Sequence, residues 1–231
     1  MNTIKLDQPT NNCPLCKRSR DEALDKQFVK RGIGYLRCPC GLYYADQYMS
    51  EDETRAWYSD GEYRRKHPGS VSGDDHWERE HAAVLVPMII KELPGCDKIL
   101  DIGCSTGVLL EKLQDFYDCT VHGLEWSKIQ REQTIKRGLK CYQDFSEVES
   151  NRYDLIILSH VLEHTLHPLE LLERIQDVLK GVLFIQVPIM MPAFPHPLVF
   201  TVATAMAMVE KAGYKIISTD NRKHFTIWAR R

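Results

Sequence analysis

The sequence predicts an α/β fold: a seven-stranded, mostly parallel sheet with an antiparallel last strand, helices on both faces, and a small cysteine-bearing module ahead of it. Three observations predict it. From residue 98 onward, short apolar runs alternate with helical segments, the pattern of right-handed βαβ crossovers. The final stretch, KIISTDNRKHFTIWARR, holds two β-rich runs around a polar turn with no helix between them, so the second run returns antiparallel. Four of the eight cysteines fall within residues 13–40.

Taken in chain order, the first element is that cluster. Cys13-Pro-Leu-Cys16 is followed, after twenty-one residues, by Cys38-Pro-Cys40-Gly. Two close thiol pairs on turns suit a tetrahedral zinc, because four sulfurs must converge on one point. The second pair is C-x-C, one residue shorter than the usual knuckle. A closed four-thiolate site staples structure and leaves no position for a substrate. The next stretch, YYADQYMSEDETRAWYSDGEYRRKHPGS, reads as a linker with short helices, carrying Tyr58 and Tyr63 as aromatics able to line a pocket. HWEREHAAVLVPMIIKEL, residues 76–93, has helical apolar spacing, with a kink expected at Pro87 and a stop at Pro94-Gly95.

Beyond it, strands fit residues 98–102, 120–124, 140–142, 155–159, 182–187, 215–218 and 224–229. Helices fit 107–117, 127–137, 169–180 and 200–212, the third preceded by Pro168. Residues 181–209 contain no Asp, Glu, Lys or Arg, but Pro188, Pro192, Pro195 and Pro197 argue against a membrane span. Net charge is −2, so nothing global points to nucleic acid, although residues 1–40 carry +4 and residues 41–80 carry −5. The opening MNTIKLDQPTNN has no apolar h-region, and the expectation is a cytoplasmic protein whose clustered thiols bind metal.

The stretch ILDIGCSTGVLLEKL carries the chemistry. Gly103-Cys-Ser-Thr-Gly107 matches G-x-S-x-G, a nucleophile elbow at Ser105. It sits on the first strand of the sheet, with no earlier strand to supply an oxyanion loop, which disfavours a hydrolase. A dinucleotide site needs a middle glycine for close approach of the pyrophosphate, and Ser105 and Val108 stand where glycines belong. A third reading uses more residues: Asp101 ends the strand, the turn follows, and Glu125 ends the next strand, 22 residues after Gly103. An acid there accepts hydrogen bonds from both ribose hydroxyls without requiring a phosphate.

These residues resemble the Rossmann-like S-adenosylmethionine-dependent methyltransferases. The resemblance extends to QDFSEV, to YDLIILSHVLEHTLHPLELLERIQDVLKGVLFIQVP and to RCPCGLYYAD, which is similar to the zinc-knuckle segment of some members. It implies S-adenosylmethionine contacts from Asp101, Gly103, Cys104, Ser105, Gly107, Glu125, Trp126, Asp144, Phe145, Ser159 and His160, with Asp144 on the adenine amino group. It also implies a structural zinc at Cys13, Cys16, Cys38 and Cys40. The expected organisation is a knuckle module over 1–45, a helical linker covering the cofactor pocket over 46–95, and the methyltransferase core over 96–231.

His160-Val-Leu-Glu163-His164 also matches H-x-x-E-H, an inverted zinc-peptidase signature. Its position directly after a strand, rather than within a helix, favours structural hydrogen bonding for Glu163 and His164. Methyl transfer from a sulfonium is an in-line displacement helped mainly by positioning. His160 and His196, in the loop PAFPHPLVF, are the candidate bases. The resemblance implies a small-molecule, sugar or glycan acceptor, most simply O-methylated. The alternatives are RNA or protein methylation docked by the knuckle, and a zinc-binding adaptor with an inactive core.

Overall fold

The computed structural model describes residues 8–30, 33–59, 75–148, 153–193, 195–222 and 224–231; Tyr63 and most of the PGSVSGDD loop lie outside them. The chain opens with strands β1 (Gln8–Pro9), β2 (Asp25–Lys30), β3 (Ile33–Arg37), β4 (Tyr43–Ala45) and β5 (Gln47–Tyr48). Helices α1 (Glu51–Ser59) and α2 (His76–Glu92) follow. Then come β6 (Lys98–Ile102), α3 (Val108–Tyr117), β7 (Thr120–Leu124), α4 (Lys128–Lys136), β8 (Lys140–Tyr142) and β9 (Tyr153–Ser159). The chain ends with α5 (Pro168–Gln176), β10 (Leu179–Val187), β11 (Leu198–Val199), α6 (Val202–Lys211), β12 (Lys215–Asp220) and β13 (Phe225–Arg230).

Seven of these strands form one mostly parallel sheet, in the order β12-β13-β10-β9-β6-β7-β8. β6, β7 and β8 pair in parallel, whereas β13 runs antiparallel to both β10 and β12. This is the sheet expected from the sequence, with the last strand reversed by the short polar turn. β6, β7 and β8 have the expected bounds, because each is a compact apolar run closed by turn residues. The third core helix is shorter than its sequence pattern suggests. It stops at Gln176, and the following strand begins at Leu179, three residues early. Gly181 explains this: a Cβ there would lie 2.2 Å from the Asp154 carbonyl oxygen, so the backbone approach requires glycine. Lys180, expected in the helix, instead reaches Asp154 Oδ1 at 2.9 Å from the strand.

α2 is continuous through Pro87, which faces solvent, so the missing N–H leaves no buried carbonyl in apolar surroundings. Its buried stripe is Glu78, Ala82, Leu85 and Ile89, and it packs on α3.

The chain divides into two compact units: residues 1–53, 158–177 and 183–231 in the first, residues 54–157 and 178–182 in the second. In the first, β2, β3, β4 and β11 form a second, antiparallel sheet. β4 pairs with β11 through Leu198 opposite Tyr44 and Val199 opposite Tyr43. The expected short helices give way to strands β4 and β5 here: β4 pairs with its neighbour β3 and with the distant β11, and β5 with β1. The fully buried Phe184, Ile185, Ile227 and Ala229 form part of this unit's core, and the Trp228 ring meets Phe184 edge-on at 4.8 Å. In the second unit Leu85, Ile89, Ile99, Leu100, Leu110 and Leu113 are fully buried. Each such side chain contributes roughly 1.5–3 kcal/mol relative to exposure.

Candidate functional site

In the second unit, the turn after β6 is built on three left-handed residues: Gly103 (φ 75°), Ser105 (φ 52°) and Gly107 (φ 79°). The Gly103 and Cys104 amides donate to the Leu124 carbonyl at 2.7 and 3.2 Å, holding the turn against the end of β7. A Cβ on Gly107 would lie 2.8 Å from Thr134 Cγ2, so glycine is required there by both φ and space. Glu125, buried at the end of β7, accepts the Ser105 amide on Oε2 at 3.0 Å and the Ser127 amide on Oε1 at 2.8 Å. Ser105 is locked further. Its hydroxyl donates to Glu78 at 3.1 Å and accepts from Gln130 at 2.7 Å, while Thr134 donates to its carbonyl at 2.9 Å. These contacts tie the Ser105 side chain and backbone into the turn.

Asp101 is buried at the end of β6, and its carboxyl is pushed well above the usual range by burial and then by the charge of Glu125. Cys104 is also buried, and its thiol packs at 3.6 Å from that of Cys141 and against Gly123, where no Cβ fits. The Thr106 hydroxyl is buried without a hydrogen-bond partner among the described residues.

α1 covers the neighbouring edge. Arg55 donates to Asp144 at 2.6 Å, and its guanidinium lies 5.1 Å from the centre of the Trp126 ring. Ser59 donates to the Trp126 carbonyl at 3.3 Å. Asp144 also accepts from the Ser146 amide at 3.0 Å. That amide, followed by Arg55, holds its carboxyl down at about 2. Asp144 and Phe145 follow β8 directly. Glu78, Gln130 and Arg55 escaped the sequence reading because each acts on a residue at least 25 positions away.

In the first unit, Cys13, Cys16, Cys38 and Cys40 bring their sulfurs within 4.8 Å of one another. The closest approaches cross the two pairs, Cys13 to Cys40 at 3.6 Å and Cys16 to Cys38 at 3.4 Å. Four sulfurs about 2.3 Å from one zinc lie about 3.8 Å apart, so the shortened C-x-C pair still meets the geometry. Both turns close on themselves: the Lys17 amide donates to the Cys13 carbonyl and the Gly41 amide to the Cys38 carbonyl. Burial pushes the Cys13 thiol well up and the Cys38 thiol up to about 11, whereas at Cys16 burial is outweighed by hydrogen bonds from the Arg18 backbone and the neighbouring thiols, which hold it below its ordinary value.

The same unit carries the expected Ser159, His160 and His196. The Ser159 hydroxyl donates to Gln186 at 3.3 Å. His160 has φ 56°, a strained value for a non-glycine, and its Nδ1 lies 3.0 Å from Glu163 Oε1. Its ring meets His224 edge-on at 4.7 Å. Glu163 is 1% exposed. Burial pushes its carboxyl up, but the His160 hydrogen bond and the charges of His164 and His160 outweigh that and hold it below its ordinary value. His196 is buried and meets His164 edge-on at 4.5 Å. Burial pulls His164 down to about 4 and His196 below its ordinary value. The Tyr35 hydroxyl donates to the His196 carbonyl at 2.6 Å and the Tyr48 hydroxyl to the Pro195 carbonyl at 2.5 Å. No helix among the described residues is long and apolar enough to cross a membrane.

A family model described as a methyltransferase domain matches residues 75–219. No curated protein matches the sequence at a significant level. Magnesium protoporphyrin IX methyltransferase from Synechocystis PCC 6803, solved with bound S-adenosylmethionine, superposes with a TM-score of 0.58 at 15% identity, over 76% of this chain and 93% of that one. The plantazolicin methyltransferase BpumL, in complex with S-adenosylhomocysteine, gives 0.58 at 16% identity over 77% and 94%. The cyclase SpnF gives 0.52 at 18% identity over 59% of each chain, so this chain spans less than two thirds of that relative. At such identities the likeness establishes the fold.

Proposed function

Because the chain belongs to the methyltransferase-domain family, we propose that it transfers a methyl group from S-adenosylmethionine to a hydroxyl of a small-molecule, sugar or glycan acceptor. The observation that carries the cofactor half is the pair of buried acids, Asp101 and Glu125, at the ends of adjacent strands, one raising the other's pKa. A ligand with a sulfonium and an ammonium is the electrostatic complement of such a pair, and the turn's Ser105 and Val108 suit no pyrophosphate. Thr106 on that loop has a buried hydroxyl with no hydrogen-bond partner among the described residues. In this reading Asp101 and the turn from Gly103 through Gly107 hold the methionine half. Glu125, fixed by the Ser105 and Ser127 amides, takes the ribose hydroxyls on its carboxylate. Asp144, Phe145 and Trp126 border the adenine, under the cover of Arg55.

The cofactor supplies an electrophilic methyl, so the chain has to place the acceptor in line and take its proton. His160 is the better-supported base, since its Nδ1 partner at 3.0 Å is the Glu163 carboxylate, which stabilises the protonated ring, whereas His196 Nδ1 has only the neutral Met191 carbonyl at 3.2 Å. A cleft of about 400 Å³ lies in the first unit. Asn11, Asn12, Ser50, His167 and Glu170 line it, and Lys17 is the single Lys or Arg among its described lining residues. The cysteine cluster fits a structural zinc that fixes one wall of this cleft, to which Cys13 and Pro14 contribute.

Calorimetry tests the reading: S-adenosylmethionine binds the wild-type chain and binding is lost in Glu125→Ala. A folded wild-type chain that shows no binding at micromolar cofactor sinks it. Salt-dependent RNA binding that requires the cysteine module would move the acceptor to RNA.

A further inference from the structure

We propose that Glu163, His164 and His196 form a second metal site, separate from the cysteine cluster, for a divalent first-row transition ion such as Zn2+, Mn2+ or Fe2+. Their ligand atoms lie within 4.8 Å of one another. Atoms bound at 2.0–2.2 Å to a common ion lie about 3–4 Å apart, so the cluster needs only a small contraction. The sequence offered Glu163 and His164 as two parts of an H-x-x-E-H pattern that lacked a third ligand. The fold supplies it from the loop between β10 and β11, 32 residues downstream.

Two independent features prepare these groups for a cation. The first is an unsatisfied charge. Glu163 is 1% exposed, its Oε1 is held by His160, and its Oε2 is buried with no hydrogen-bond partner among the described residues. A buried carboxylate oxygen without a partner is destabilising, and a metal cation would satisfy it. The second is the setting of the imidazoles. A carbonyl oxygen can only accept, so the His196 Nδ1 that lies 3.2 Å from Met191 O must be its N–H. That leaves the Nε2 lone pair free to coordinate. His164 has a hydrogen bond to the Pro195 backbone of the same loop. Metal-binding histidines are held in this way, one ring nitrogen donating to a backbone carbonyl and the other ligating. The backbone of the loop is pinned in turn by Tyr35 and Tyr48, so the third ligand arrives in a fixed position.

Two imidazoles and one carboxylate select a transition ion over Mg2+ or Ca2+, which favour all-oxygen cages. Three protein ligands also leave a coordination position open, unlike the closed four-thiolate cluster. In the methyl-transfer reading, on which this one clause rests, that position receives an acceptor oxygen and acidifies its hydroxyl.

The test is a Co2+ titration of the full chain with its thiolate cluster already filled by Zn2+. The expected result is one further Co2+ per chain, with weak visible bands and no sulfur charge-transfer band. Uptake should be lost in His196→Ala and weakened at least about tenfold in the isosteric Glu163→Gln. Circular dichroism confirms that each variant is folded, and cofactor calorimetry on the same samples reports separately on the methyltransferase reading. Co2+ uptake confined to a species with sulfur charge-transfer bands overturns the proposal, as does uptake that survives both substitutions.

Discussion

Glu125 spends one carboxylate on two backbone amides, those of Ser105 and Ser127, and so sets the shape of the turn before any ligand arrives. Replacing it with alanine should therefore remove both turn order and ligand contact. Charge-assisted hydrogen bonds contribute about 1.5–3 kcal/mol each, so the dissociation constant for S-adenosylmethionine is expected to rise at least about tenfold, measured by calorimetry. Gly107→Ala acts on the same turn through strain: its φ of 79° and the 2.8 Å approach to Thr134 should lower stability by about 1–3 kcal/mol in urea denaturation. Asp144 gives a pH signature. Its carboxyl is held at about 2, below its ordinary value, so the folded state favours the charged form. That contribution is complete above about pH 4 and is lost as the pH falls through about 2. Carboxyl-carbon NMR should find Asp144 still ionised at pH 3, and Arg55→Ala should move its titration upward; an Asp144 that titrates near 4 in the wild type contradicts the pairing. Residues of the cradle that stand at strand ends, such as Asp101 and Glu125, were legible in the sequence because strand and turn patterns place them. Glu78, Gln130 and Arg55 were not, since only the tertiary packing of α1, α2 and α4 brings them to Ser105 and Asp144.

In the proposed zinc reading, the antiparallel sheet of the first unit is the element that depends on a ligand. Cys38 directly follows β3 and Cys40 lies just before β4, so a metal held by these thiols clamps the β3–β4 turn. Cys38→Ser is expected to lower the zinc content by one ion per chain and to lower the melting temperature by several degrees. Treatment of the wild type with a chelator should give the same shift, and an unchanged melt after complete loss of zinc would show that the clamp is dispensable. The sequence announced the cysteines but not the strands around them. β4 finds β11 across about 150 residues of chain, and local patterning carries no trace of such a pairing. The early end of α5 has a related cause. ERIQDVLKG is helical by composition, yet Gly181 and Lys180 are claimed by the Asp154 backbone and side chain of β9.

At the level of the whole molecule, the seven-stranded sheet is readable from the alternation of short strands with helices together with the polar hairpin turn before the last strand. Its reversed last strand is also its most buried: Phe225, Thr226, Ile227, Trp228 and Ala229 are all buried. Ile227→Ala should therefore cost about 2–5 kcal/mol, read as a fall in the urea midpoint with an unchanged slope. What alternation does not reveal is how the front of the chain is stitched to its later part. Within the first unit, Tyr35 and Tyr48 grip the backbone on either side of His196, the Ala45 amide donates to the Pro197 carbonyl, and β4 pairs with β11. These ties make residues 33–48 and 189–200 a single heritable part. Chimaeras that exchange N-terminal segments between relatives should stay soluble only when both pieces come from the same parent, and crossover points for recombination belong outside the pair.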